Sequence, residues 1–129
     1  MKRILCVIVM TLLLVGVVTF QQIFADTALD ELMTRIETLD TEITEKADIN
    51  LENIIKITDD LDDFWTKKER ILCLVINHND LNNVGEQIKR VKTYIKNNDK
   101  ENCLVELETL KFYAESYRHV MEINLQNLF

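Results

Sequence analysis

Between Ile54 and Ile95 the apolar residues Ile54, Ile57, Leu61, Phe64, Ile71, Leu74, Leu81, Ile88 and Ile95 return in steps of three, four and seven. Steps of that size place each residue on the same side of a helix as the one before it. A side of this kind must be covered, and the flanking segments carry stripes of their own. Before it come Leu29, Leu32, Ile36, Leu39, Ile43 and Ala47; after it come Leu104, Leu107, Leu110, Ala114, Tyr117 and Met121. The chain has no proline and only two glycines, Gly16 and Gly85, so little in it interrupts a helix. The expected fold class is therefore all-α, an antiparallel up-down helical bundle organised around the middle segment.

Asparagine and aspartate mark the expected breaks, because their side chains compete for backbone hydrogen bonds inside a helix. Asp48 and Asn50 mark one turn. Asn97-Asn98-Asp99 marks another, with Asn98 or Asp99 placed to cap the last helix, Lys100 to about Gln126. In the middle, Asn77, Asn79, Asp80, Asn82 and Asn83 favour a turn near Asn77 to Asp80, although the apolar spacing favours continuity. A turn there gives four helices of similar size. Without it the bundle has three, one of them a central rod of about 65 Å at 1.5 Å per residue. Compactness favours four. In the last helix Phe112, Tyr113, Val120 and Ile123 widen the apolar surface, which is expected to be buried against more than one neighbour.

The N-terminus is of another kind. After Met1-Lys2-Arg3, residues Ile4 to Phe20 contain no charge and only Thr11 and Thr19 as polar side chains. Residues 1–25 are read as a signal-anchor segment and residues 26–129 as the bundle, with Asp26 as a candidate N-cap. Lys2 and Arg3 are expected to stay in the cytoplasm. That makes a single-pass protein of the cell membrane, tethered through Ile4 to Phe20, with its C-terminal domain outside the cytoplasm. The alternative is secretion after cleavage near Ala25, which would put Ile23 where a small residue is preferred. Cys6 lies at the start of the apolar run and not after it, which excludes lipoprotein attachment.

The net charge is −7, unevenly spread: Asp26 to Asp63 carries −10 and Phe64 to Phe129 carries +1. An acidic half lacks the cations that phosphate binding needs, so no nucleic acid is expected as a partner. The segment Lys89-Arg90-Val91-Lys92 through Lys96 is basic. It suits a solvated face, anionic lipid, or the acidic half of the same chain. The narrow stripe on the first helix leaves room for a homodimer.

The only histidines, His78 and His119, lie at similar heights if the chain reverses at Asn97 to Asp99. With Asp80, Glu115 or Glu122 they are the candidate metal ligands, weighed against the commoner reading as ordinary bundle residues. Cys73 and Cys103 are too far apart along antiparallel helices for a disulfide, and both are expected as free, buried thiols. Trp65 is expected in the core rather than as an exposed aromatic anchor with Phe64. No nucleophile, base and orienting group assemble, and no glycine-rich phosphate loop or paired-cysteine motif is present, so neither an enzyme nor a cofactor is expected.

Trp65, Glu69-Arg70, Asn77-His78, Leu81 and the terminal Leu125-Gln126-Asn127-Leu128-Phe129 together resemble the small, membrane-anchored helical proteins of Gram-positive bacteria grouped as domain of unknown function 4363. The resemblance spans most of the chain, which ends in Asn-Leu-Phe where Asn-Ile-Phe or a close variant would be expected. It implies the anchor and the helical fold, and no catalytic residue. The function expected is that of a non-enzymatic, membrane-tethered extracytoplasmic protein acting through contacts with an envelope protein. The alternative is an extracytoplasmic ligand- or metal-binding sensor module working with a separate output partner.

Overall fold

A computed structural model describes residues 1–128, with the side chains of Asn124, Leu125 and Leu128 left aside; the terminal Phe129 and those two leucines of the family-like ending lie outside the described set. The first helix, α1, runs unbroken from Lys2 to Glu45. No proline or chain reversal separates the apolar run from the amphipathic one, so helical hydrogen bonding passes straight through both. Asp26 is consequently a mid-helix residue and not the N-cap expected of it. Thr11, Thr19, Thr27, Thr34, Thr38 and Thr41 each donate their hydroxyl to the carbonyl four residues earlier, at 2.8–3.0 Å, sharing that acceptor with the helical N–H and leaving the helix unbroken.

The remaining helices are α2 (Glu52–Leu72), α3 (His78–Lys96) and α4 (Lys100–Leu128). Each packs on its neighbours in a ring, α1 on α2 and α4, and α3 on α2 and α4, while the diagonal pairs do not meet among the described residues. Ion pairs give the directions. Asp30 meets Arg118 at 3.0 Å and Asp40 meets Lys111 at 2.6 Å, so α4 descends as α1 rises. Across the other seams Lys92 of α3 reaches Asp59 of α2, and the Cys103 thiol of α4 faces the Val91 carbonyl of α3. The bundle is up-down-up-down.

Its core is the stripe of each helix turned inward. Leu29, Leu32, Ile36, Leu39 and Ile43 from α1 are fully buried, as are Ile54, Trp65 and Leu72 from α2, Leu81, Val84 and Ile88 from α3, and Leu107, Leu110 and Ala114 from α4. α1 stops at Glu45, two residues before the end of its expected stripe. Ala47 is left exposed, and Ile49 from the connection takes the core position instead.

The end away from the apolar run is tied together by polar groups. Asn98 adopts a positive φ of 54°, a conformation asparagine tolerates better than most side chains, and so reverses α3 into α4. Its Oδ1 accepts from the Ile49 N–H at 2.8 Å and its Nδ2 donates to Asp48 at 3.0 Å. Beside it, Lys100 donates to the Thr44 and Lys46 carbonyls at 3.1 and 2.7 Å, satisfying the C-terminus of α1 with a cation. Both turns read from Asp48–Asn50 and Asn97–Asp99 are present.

The middle break exists but sits earlier than expected, at residues 73–77. Asn77 caps α3, its side chain accepting from the Asn79 N–H at 2.9 Å, so Asn79, Asp80, Asn82 and Asn83 lie inside the helix they were expected to interrupt. Ile71 and Leu74, taken above as members of the stripe, stand exposed at this break. α4 also departs from expectation. It buries Leu107, Leu110, Ala114 and Met121 against two neighbours, yet Phe112, Val120 and Ile123 point outward.

Candidate functional site

Trp65 is the largest buried side chain, 1% exposed, as the sequence led one to expect. Its position depends on α3. Gly85 faces the indole, and a Cβ there would meet Nε1 at 3.4 Å and Cδ1 at 3.6 Å, ordinary contact distances. Among the described residues the indole N–H finds no acceptor, and a buried donor without one is costly. Next to it, between α2 and α3, is an open groove of about 200 Å³ lined by Asp62, Thr66, Glu69, Asn82, Glu86 and Lys89. The arrangement offers one buried donor and a mixed-charge mouth, suited to a water or a small polar ligand carrying an acceptor. Phe64 is not an exposed partner to Trp65: it is buried under Arg35, whose guanidinium carbon lies 4.6 Å from the ring centroid.

The histidines sit elsewhere. His78, exposed at the start of α3, pairs with Asn82 at 3.3 Å, and His119 is exposed on α4. Among the described residues no group of three histidine, cysteine, aspartate or glutamate side chains converges.

The three cysteines are unpaired. Cys103 is buried, as expected, and desolvation pushes its thiol up to about 12, with Asp99 and Asp40 adding to the effect. Cys73 contradicts the expectation of burial. It lies one residue past the end of α2, where the chain has left the packed face, and only its own turn contacts the sulfur, through the Arg70 carbonyl at 2.9 Å.

The basic segment divides. Lys92 reaches across to the acidic half of the chain, to Asp59 at 2.7 Å and Asp62 at 3.4 Å. The hydrogen bond to Asp59 raises its pKa more than burial lowers it. Lys89, Arg90 and Lys96 remain exposed. One buried polar group was not read from the sequence. Gln87 lies among the apolar positions of α3 and donates to both the backbone carbonyl and the side chain of Glu106, joining α3 to α4. Its signal was faint: a lone amide beside Ile88, on the edge of a stripe.

At the other end of the core, Asp26 has its pKa raised, first by desolvation and then by Asp30 and Glu122, with Arg118 opposing. It stands just above the point where α1 leaves the bundle. From Met1 to Phe20 every residue of that helix is exposed.

The geometry defines a class, a four-helix bundle carried on the end of a long apolar helix. The chain matches the family described as domain of unknown function (DUF4363) over residues 20–128, and it belongs to that family. Neither the curated proteins nor the solved structures contain a match.

Proposed function

We propose that this is a membrane-tethered protein of the Gram-positive envelope whose bundle stands outside the cytoplasm and works by contacting another envelope protein, without catalysing a reaction. The observation that carries the reading is the continuity of α1. The 17 residues from Ile4 to Phe20, about 26 Å at the helical rise, extend from the bundle with apolar side chains on every face. That length approximates the hydrocarbon thickness of a bilayer, and an apolar surface of this size is not left in water by a soluble bundle. Lys2 and Arg3 at the free end favour retention on the cytoplasmic side.

Topology is tested at Asn97→Cys in a Cys73→Ser background, an exposed position at the end of the bundle away from the apolar helix. A membrane-impermeant maleimide added to intact cells is expected to label it; labelling only after permeabilisation would place the bundle inside. The contact role is tested with a photo-crosslinking amino acid at Phe112, exposed on the outward face of α4. A discrete crosslink to another envelope protein supports the proposal, a crosslink to a second copy identifies a homodimer, and no crosslink from this face counts against it.

The unpartnered Trp65 N–H favours a second reading, a sensor module that takes a small polar ligand in the α2–α3 groove. Because Trp65 is the only tryptophan, its fluorescence reports that groove alone. Gly85→Ala would set a methyl group over Nε1 at ordinary contact distance, and the helix would gain up to about 1 kcal/mol. A ligand-induced emission change that Gly85→Ala abolishes in a folded protein would move the assignment to this reading.

A further inference from the structure

The two ends of the bundle differ in a way that the fold alone does not require. At the end away from the apolar helix, the connections carry Asp48, Asn50, Asn97, Asn98 and Asp99, closed by their own hydrogen bonds, with Leu51 exposed at 39% beside them. At the other end the α2–α3 connection reads Cys73-Leu74-Val75-Ile76, and it leaves Ile71, Leu74 and Val75 exposed at 49%, 69% and 38%. Turns on a soluble surface seldom have that composition.

Its position supplies the reason. The Lys68 ammonium lies 4.9 Å from the Phe24 ring centroid, which sets α2 against α1 in antiparallel register. Taken with the Arg35–Phe64 contact, this places Cys73, one residue past α2, level with residues 19 to 26, where α1 passes from the apolar run into the bundle. The exposed connection thus lies beside the point at which α1 leaves the bundle. α4 comes down to the same end, with Ile123 exposed. One to two turns above the connection, α2 carries Lys67, Lys68 and Arg70, with Arg118 on α4; Glu69 on α2, Asp80 on α3, Asp26 and Asp30 on α1 and Glu122 on α4 oppose them at this end. Apolar side chains at the tip with long cations just behind them match the layering of a bilayer surface, acyl boundary below and anionic headgroups above.

We infer that the α2–α3 connection is a second membrane contact: Ile71, Leu74 and Val75 seat in the interfacial layer of the leaflet that α1 crosses, with Lys67, Lys68 and Arg70 at its headgroups. This rests on the tether proposed above. With two attachments, one spanning and one interfacial, the bundle stands at a fixed angle and presents a constant face to its neighbours. The occupant is lipid, because the helix emerging beside the tip brings the bilayer to it.

The test uses the full chain in vesicles of mixed phosphatidylglycerol and phosphatidylcholine containing a lipid with a nitroxide near the top of its acyl chain. An environment-sensitive fluorophore is placed on Cys73 in a Cys6→Ser background, Cys103 being buried and unreactive. The same fluorophore at Asn97→Cys, in a Cys6→Ser, Cys73→Ser background, marks the far end. Severalfold stronger quenching at residue 73 than at 97, reduced towards the level at 97 by Leu74→Asp with Val75→Asp, is the expected result. Equal quenching at the two positions overturns the inference. Label on Cys6 in a Cys73→Ser variant separates the two claims. Quenching at 6 without quenching at 73 leaves the tether standing and rejects the seating, whereas no quenching at 6 removes both.

Discussion

The two halves of α1 share one unbroken backbone and differ only in how apolar residues are distributed around it. Residues 4–20 are apolar on every side and touch nothing in the protein; from Ala25 to Ile43 the apolar residues narrow to one stripe, and every member of it is fully buried. Helix formation is the same in both. What differs is what covers each half: nothing in the protein for the first, α2 and α4 along one side for the second. The comparison shows that a boundary between an apolar run and a packed domain need not be a break in the chain. It is a change in the width of a stripe.

The largest expected effect that sharpens this contrast comes from removing the same side chain in each half. Leu32→Ala, in the core, is expected to lower the unfolding free energy by about 2–5 kcal/mol in a denaturant titration followed by circular dichroism in detergent. Leu12→Ala should leave the transition unchanged, and a comparable loss there would show that the first half packs on the bundle after all. The reverse contrast is Leu12→Arg. A charge near the middle of the run should cost membrane insertion about 3 kcal/mol and move protein out of the membrane fraction, with the bundle's transition intact.

Smaller effects fall on the seam with α4. Lys111→Ala removes the Asp40 pair and should cost about 1 kcal/mol or less, measured in the same titration. The hydrogen bond to Asp40 raises the Lys111 pKa above 10.5, so this contribution is complete at neutral pH and is lost as pH climbs through the raised value. Asp26→Asn is expected to have the smallest effect and the opposite sign. The folded-state pKa of Asp26 is raised above 3.8, so the ionised carboxylate opposes folding once pH exceeds the raised value. The asparagine variant should therefore be slightly more stable at neutral pH, with the difference vanishing below 3.8. A variant less stable at neutral pH would mean that Arg118 outweighs burial at this position.

Much of the architecture was readable because polar turn residues and apolar stripes are local signals. Asn98 announced its own turn. The middle break was harder, since the residues that form it, Cys73 to Ile76, are apolar and resemble a continuing stripe, while the asparagines downstream begin a helix rather than end one. A signal was nevertheless there: Leu81 follows Leu61 by twenty positions, one short of three heptads, so the spacing does slip in phase between α2 and α3. The continuity of α1 was obscured by Asp26, a good cap residue that happens to lie mid-helix. The Trp65 groove was not legible, because the pairing of Trp65 with Gly85 depends on the register of α3 against α2, and no local pattern encodes that register. The exposure of Cys73 followed from the same misplaced break.

The central claim, that α1 stays whole and holds the bundle at the membrane, is tested most directly by the N-terminal sequence of the protein recovered from its native cells. Protein beginning at Met1 in the membrane fraction is the expected result. A chain beginning near Asp26 and found in the medium would contradict it, and would make the bundle a secreted protein whose first helix starts where the stripe narrows.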